Sequence, residues 1–194
     1  MKRITSQSIF FLFFYFFHFF VCSEEDFNKK LSHANIFIEF GEVGKALKIL
    51  NSVQQSEKNN FKFLLSYGRA YLKIREYEKA KQYFEDAIFT SEFEDEAAYL
   101  GISKAYLEIG DFKSAYKNIR PLLKSQYKPV ESELILIEIE LRTGYIDEAK
   151  KRLVMLLKNR GNDPNVLIGY AKYLFFNEDP NDAIAFLENE IIKG

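Results

Sequence analysis

The 194-residue sequence has no tryptophan, one cysteine, two histidines and no excess of either charge. The single cysteine, Cys22, has no partner for a disulfide within its own chain. Two histidines and one cysteine cannot make a Cys/His metal cluster, and no thiol stands with a base as an activated nucleophile does. His18 lies in an apolar run and His33 stands alone, where a surface or packing role is the ordinary reading. The glycines are spread along the chain rather than gathered into a phosphate-cradling loop. The carboxylates of Glu92, Glu94, Asp95 and Glu96 read as a solvated charge run. The sequence is therefore expected to be non-catalytic, with no cofactor and no bound metal.

The chain divides sharply near residue 23. Residues 1–23 carry Lys2 and Arg3, followed by the apolar run Ile9 to Val21, which holds eight of the 20 phenylalanines. This is the layout of an export signal: a short positive start, an apolar stretch, then small or polar residues. Its 13 residues would cover about 20 Å as a helix, short of the ~30 Å hydrocarbon core of a bilayer. Three outcomes fit the junction. Val21-Cys22-Ser23 suits cleavage after Ser23, Cys22 stands where a bacterial lipoprotein carries its acylated cysteine, and the segment could remain as an uncleaved anchor. Phe19-Phe20-Val21 lacks the small residue usual before a lipidated cysteine. The expected location is exported, in the periplasm or cell envelope, with membrane anchoring dependent on that junction. Two of the 27 basic residues fall in the segment, leaving 25 against 28 acidic over residues 24–194. That balance gives no electrostatic footprint for nucleic acid.

What the remainder does contain is a period. Ala46, Ala80, Ala115, Ala149 and Ala183 stand 34, 35, 34 and 34 residues apart. A fixed period of this length marks stacked supersecondary units. In the second copy, Leu64, Tyr67, Gly68, Tyr71 and Leu72 recur at helical spacing, and the pattern restarts with Tyr77, Ala80, Phe84, Ala87 and Ile88. Two helices of about 14 residues joined by a short link lie antiparallel. Small residues at 34, 68, 103 and 171 on the first helix, and the alanines on the second, allow close backbone approach. Ala80 and Ala115 are expected at tight helix contacts. Gly41, Gly110 and Gly144 are expected to close first helices in the left-handed conformation. Asp163-Pro164 and Asp179-Pro180 read as an N-cap followed by proline at the first helical position.

The Gly/Ala-x-x-Tyr/Phe of the first helix, the glycine at the turn and the Ala-x-x-x-Phe/Leu of the second helix resemble the tetratricopeptide repeat family, in its exported bacterial form. The resemblance implies an all-α, right-handed superhelical solenoid of about five helix-turn-helix units. They fall near 27–60, 61–95, 96–129, 130–163 and 164–194, within a domain spanning 24–194. Departures are local: Ile137 at a small position, Glu140 and Pro180 at aromatic positions, and Glu178 at a turn glycine.

In that family the first helices line the concave face. By resemblance the candidate groove residues are Asn35, Leu65, Arg69, Leu100, Lys104, Leu134, Glu138 and Lys172, within an apolar column of Leu31, Leu65, Leu100, Leu134 and Ile168. Such a stripe suits an extended peptide or helix, although the same leucines could instead pack between neighbouring helices. Leu31 and Ser66 replace the Lys and Asn of members that clamp a C-terminal carboxylate, so that role is not expected. A second candidate surface is an apolar end patch of Phe175, Phe176, Leu187 and Ile191. The implied function is a protein-binding scaffold of the envelope, in outer-membrane or envelope complex assembly, for a partner the sequence does not name. The alternative is a structural protein that self-associates through its C-terminal end.

Overall fold

The computed structural model describes residues 25–92, 95–126 and 128–193. Cys22 and the segment 1–23 lie outside them. The described residues contain ten α-helices and no strand. They are α1 (25–39), α2 (Val43–Asn51), α3 (Phe61–Lys73), α4 (Tyr77–Thr90), α5 (Glu96–Glu108), α6 (Phe112–Leu123), α7 (Val130–Arg142), α8 (Ile146–Arg160), α9 (Pro164–Asn177) and α10 (Pro180–Lys193). Consecutive odd and even helices pair as hairpins. The chain forms two compact units divided between Asp95 and Glu96, each with its own stacked hairpins.

Each helix hides the face its apolar spacing predicts. Ala46, Ala80, Ala115 and Ala149 are all 0% exposed and Ala183 is 5% exposed. Four residues further along the first four of these second helices stand Leu50, Phe84, Ile119 and Leu153, also 0% exposed. On α3 the small residue is Gly68, and a Cβ there would fall 2.6 Å from Cε1 of Phe84. The hairpin therefore closes until ring meets backbone. Ile137 fills the small position of α7 without opening the core, packing with Ala149, Leu153, Val166 and Tyr173.

Four first helices end in the same loop. The N–H of Glu42, Glu76, Asp111 and Tyr145 donates to the carbonyl of Phe37, Tyr71, Tyr106 and Glu140 respectively, at 2.8–3.0 Å. The residue before the donor must then be left-handed. Gly41, Gly110 and Gly144 are, with φ of +78°, +82° and +88°. In the second hairpin Arg75 takes that place at φ +64°, with no glycine to relieve it. The fifth hairpin turns differently. Glu178 is at φ −127°, outside the left-handed region, so it needs no glycine. Its carboxylate instead accepts from Lys150 Nζ and Tyr173 Oη, both at 2.8 Å. Those bonds, from Lys150 first and Tyr173 second, hold the Glu178 carboxyl below the usual carboxylate range. Asp163 and Asp179 cap α9 and α10 by accepting from Asn165 and Asn181 N–H, at 2.8 and 2.9 Å.

The first unit also holds a stack of three phenols. Tyr83 lies 4.9 Å from Tyr67 and 5.5 Å from Tyr71, ring centre to centre, and Tyr67 Oη donates to Asn51 Oδ1. Burial, then the neighbouring Tyr83 and Tyr71, push the Tyr67 phenol up to about 12 from 10.0. A phenol with a raised folded pKa stabilises the fold below pH 10, and that stabilisation is lost between pH 10 and about 12. Alkaline titration followed by circular dichroism should therefore show wild type losing stability in this window. Tyr67→Phe should flatten the slope there.

Candidate functional site: an apolar groove in the second unit

The first helices of the last two hairpins, α7 and α9, pack side by side and leave an open groove of about 680 Å³. Leu134, Ile137, Leu141, Ile168 and Phe176 supply its apolar surface. Leu134 reaches over α9 because Gly169 offers no side chain, and a Cβ there would stand 2.9 Å from Leu134 Cδ2. Ile168 is 50% exposed and Phe176 is 76% exposed, so much of this surface faces solvent.

Polar groups stand along the groove at Glu138, Arg142, Asn165, Lys172 and Asn177. Arg142 Nε donates to Glu138 Oε1 at 2.7 Å, one helical turn away. Its Nη1 donates to the carbonyl of Leu107 at 3.2 Å, tying α7 to the last turn of α5. Glu138 is thus already neutralised. Lys172 is exposed and has no ion pair among the described residues. The groove therefore offers a potential partner an apolar strip and one uncommitted positive charge.

Of the eight groove residues expected from the sequence, the structure brings three together here: Leu134, Glu138 and Lys172. Leu100 and Lys104 lie on α5 outside the groove lining. Leu100 is half-buried against Leu107, Ala115, Ile119, Ile135 and Ile139, and Lys104 is exposed. Asn35, Leu65 and Arg69 belong to the first unit. Leu31 and Leu65 are only 4% and 9% exposed, so the apolar column is interior packing in that unit. There the column follows the alternative reading, in which these leucines pack between neighbouring helices. Asn35 is half-buried, and its Oδ1 accepts no hydrogen bond among the described residues. Phe176, expected at the end patch, also lines the groove. Arg142 was not among the expected site residues, although its four-residue spacing from Glu138 is a legible pairing signal. The other end-patch residues, Phe175, Leu187 and Ile191, are 51%, 38% and 79% exposed.

Among the described residues no group of three or more His, Cys, Asp or Glu could hold a metal ion, and no helix is long and apolar enough to cross a membrane.

No family model matches the sequence, and no curated protein matches it. Solved structures do match. A tetratricopeptide repeat protein from Parabacteroides merdae superposes with a TM-score of 0.70 at 20% identity, covering 84% of this chain. This chain spans 63% of the length of that protein. MamA from AMB-1 superposes with a TM-score of 0.57 at 17% identity, covering 90% of this chain and 93% of its own. YrrB, described as a TPR protein with an unusual peptide-binding site, gives 0.55 at 15% identity over 82% and 81%. At these identities the likeness establishes the fold, which is all-α and of the tetratricopeptide repeat type.

Proposed function

We propose that this tetratricopeptide-repeat fold serves as a non-catalytic scaffold that holds a protein partner in the groove between α7 and α9. The observation that carries the reading is the exposed apolar strip of Ile168 and Phe176 beside the uncommitted Lys172. A helix or extended segment would bury apolar side chains on that strip, while one of its carboxylates or carbonyls would accept from Lys172 Nζ. A structural neighbour described as having a peptide-binding site supports the same class of role. The cell envelope is the setting proposed for it, on the layout of residues 1–23 alone.

A second reading, self-association through the end patch, has its own observation. Leu187 occupies the position of Leu50, Phe84, Ile119 and Leu153, yet it is 38% exposed where those are 0% exposed.

One experiment separates the two. The full chain is used to capture partners from an envelope extract, beside a variant carrying Ile168→Asp and Lys172→Glu. The expected result is a different protein captured by wild type and reduced at least about tenfold by the variant, with helicity retained. Capture of the chain's own copies alone, unaffected by the variant and lost with Leu187→Glu, would overturn the groove reading in favour of self-association.

A further inference from the structure

We propose that the outer face of the second unit, carried by α6 and α8, docks on an anionic lipid surface. Lys113, Lys117, Arg120 and Lys124 are all exposed, and all lie on α6 or at its C-cap. At ~100° per residue they fall within about 60° of arc, a single stripe along the helix. The buried residues Ala115, Ile119 and Leu122 lie on the opposite side, so the stripe faces outward. No acidic residue occurs between Phe112 and Leu123. Asp111, just before the helix, caps it by accepting from Ser114 N–H at 3.0 Å.

The stripe gathers four cations without ion pairs on one face of a single helix. Lys30, Lys45, Lys79, Lys81, Arg142, Lys150 and Arg152 each sit within an ion pair. None of the four stripe cations has one among the described residues. On α8, Lys151 and Lys158 are both exposed, on the side away from the buried Ala149, Leu153 and Leu156, and the acids Asp147 and Glu148 are confined to its first turn. Exposed apolar side chains are interleaved: Tyr116, Val154 and Met155 are 44%, 47% and 65% exposed. The inner helix α7, by contrast, carries Glu131, Glu133, Glu138 and Glu140 against Arg142. Positive charge is thus concentrated on α6 and α8 of a chain whose formal net charge is −1.

Charge complementarity calls for an anionic partner, and the form of the face favours a lipid surface. Three of the four α6 cations are lysines, point charges without the guanidinium fork that recognises individual carboxylates or phosphates in pairs. The hollow along this face is open and lined by α6 and its caps, with no lining residue from a second helix to enclose a peptide. Basic residues with interleaved Tyr, Val and Met match the chemistry of a headgroup layer, which takes cations at its surface and short apolar insertions beneath.

The test is flotation of the full chain with neutral phosphatidylcholine vesicles and with vesicles containing about one-third phosphatidylglycerol, at ~0.1 M salt. Neutral vesicles measure whatever the apolar residues 9–21 contribute. Wild type should bind the anionic vesicles at least about tenfold more tightly, and the variant Lys113→Gln, Lys117→Gln, Arg120→Gln, Lys124→Gln should fall to the neutral level. A control with equal charge change in the first unit, Lys29→Gln, Lys48→Gln, Lys58→Gln, Lys73→Gln, should keep most of the preference. If the fourfold stripe variant loses helicity, the pair Lys117→Gln, Lys124→Gln provides the same reading with a smaller loss. Equal binding to both vesicle types, equal losses in stripe and control variants, or tighter stripe-dependent binding of polyglutamate or RNA than of vesicles would each overturn the proposal.

Discussion

Gly68→Ala is expected to destabilise the first unit by about 1–3 kcal/mol, even though alanine is the better helix former. In an open helix the change would help by about 1 kcal/mol. Here the new methyl would meet the Phe84 ring at 2.6 and 2.7 Å, and that ring is 0% exposed. Overpacking therefore outweighs propensity. Phe84→Ala alone should cost more, about 3–5 kcal/mol, because it empties the centre of the hairpin. The double variant is the sharper measurement. Removing the ring makes room for the methyl, so the two costs should fall short of their sum by at least about 0.5 kcal/mol. Urea unfolding of the four proteins gives the cycle; strict additivity would mean that the two helices do not meet at Gly68.

The second large effect compares one repeat position in two settings. Leu153→Ala is expected to cost about 2–5 kcal/mol, since Leu153 is 0% exposed in the cluster of Ile137, Ala149, Val166 and Tyr173. Leu187→Ala, the same substitution at the equivalent place on α10, should cost less than about 1 kcal/mol, because 38% of that side chain already meets water. Thermal unfolding of the full chain at several concentrations checks both. A Leu187→Ala cost rising to match Leu153→Ala at high concentration would show that copies of the chain cover the end patch.

The architecture was legible because it rests on residues whose physical requirements are narrow. A left-handed turn favours glycine, and Gly41, Gly110 and Gly144 supply it. A close helix crossing demands a small side chain, and the alanine column supplies that. Where the requirement is looser, the sequence says less. Arg75 adopts the left-handed place without a glycine, and Glu178 stands at a turn of another shape altogether. Glu140, at a position where an aromatic is usual, is held by Arg152 of α8, with Nη2 at 2.9 Å and Nε at 3.2 Å. An ion pair substitutes there for a ring, and periodicity cannot reveal which cation answers which carboxylate. The groove was hardest to read. Leu65 and Leu134 occupy equivalent places, but one is buried and the other lines an open surface. Which of them remains available depends on how neighbouring helices close around each, and that lies beyond the reach of spacing alone.

The hairpin stacking also bears on the order in which the chain acquires its structure. Tyr67 and Asn51 are 16 residues apart, Lys150 and Glu178 are 28 apart, and Arg142 and Leu107 are 35 apart. Bonds of such short reach close small loops, which costs little entropy and favours fast folding. A chain emerging from the ribosome N-terminus first could complete one hairpin before the next arrives, with each finished hairpin serving as a template for the next one in its own unit. Kinetically, growth of the fold can keep pace with synthesis, and an interruption would leave the earlier hairpins formed.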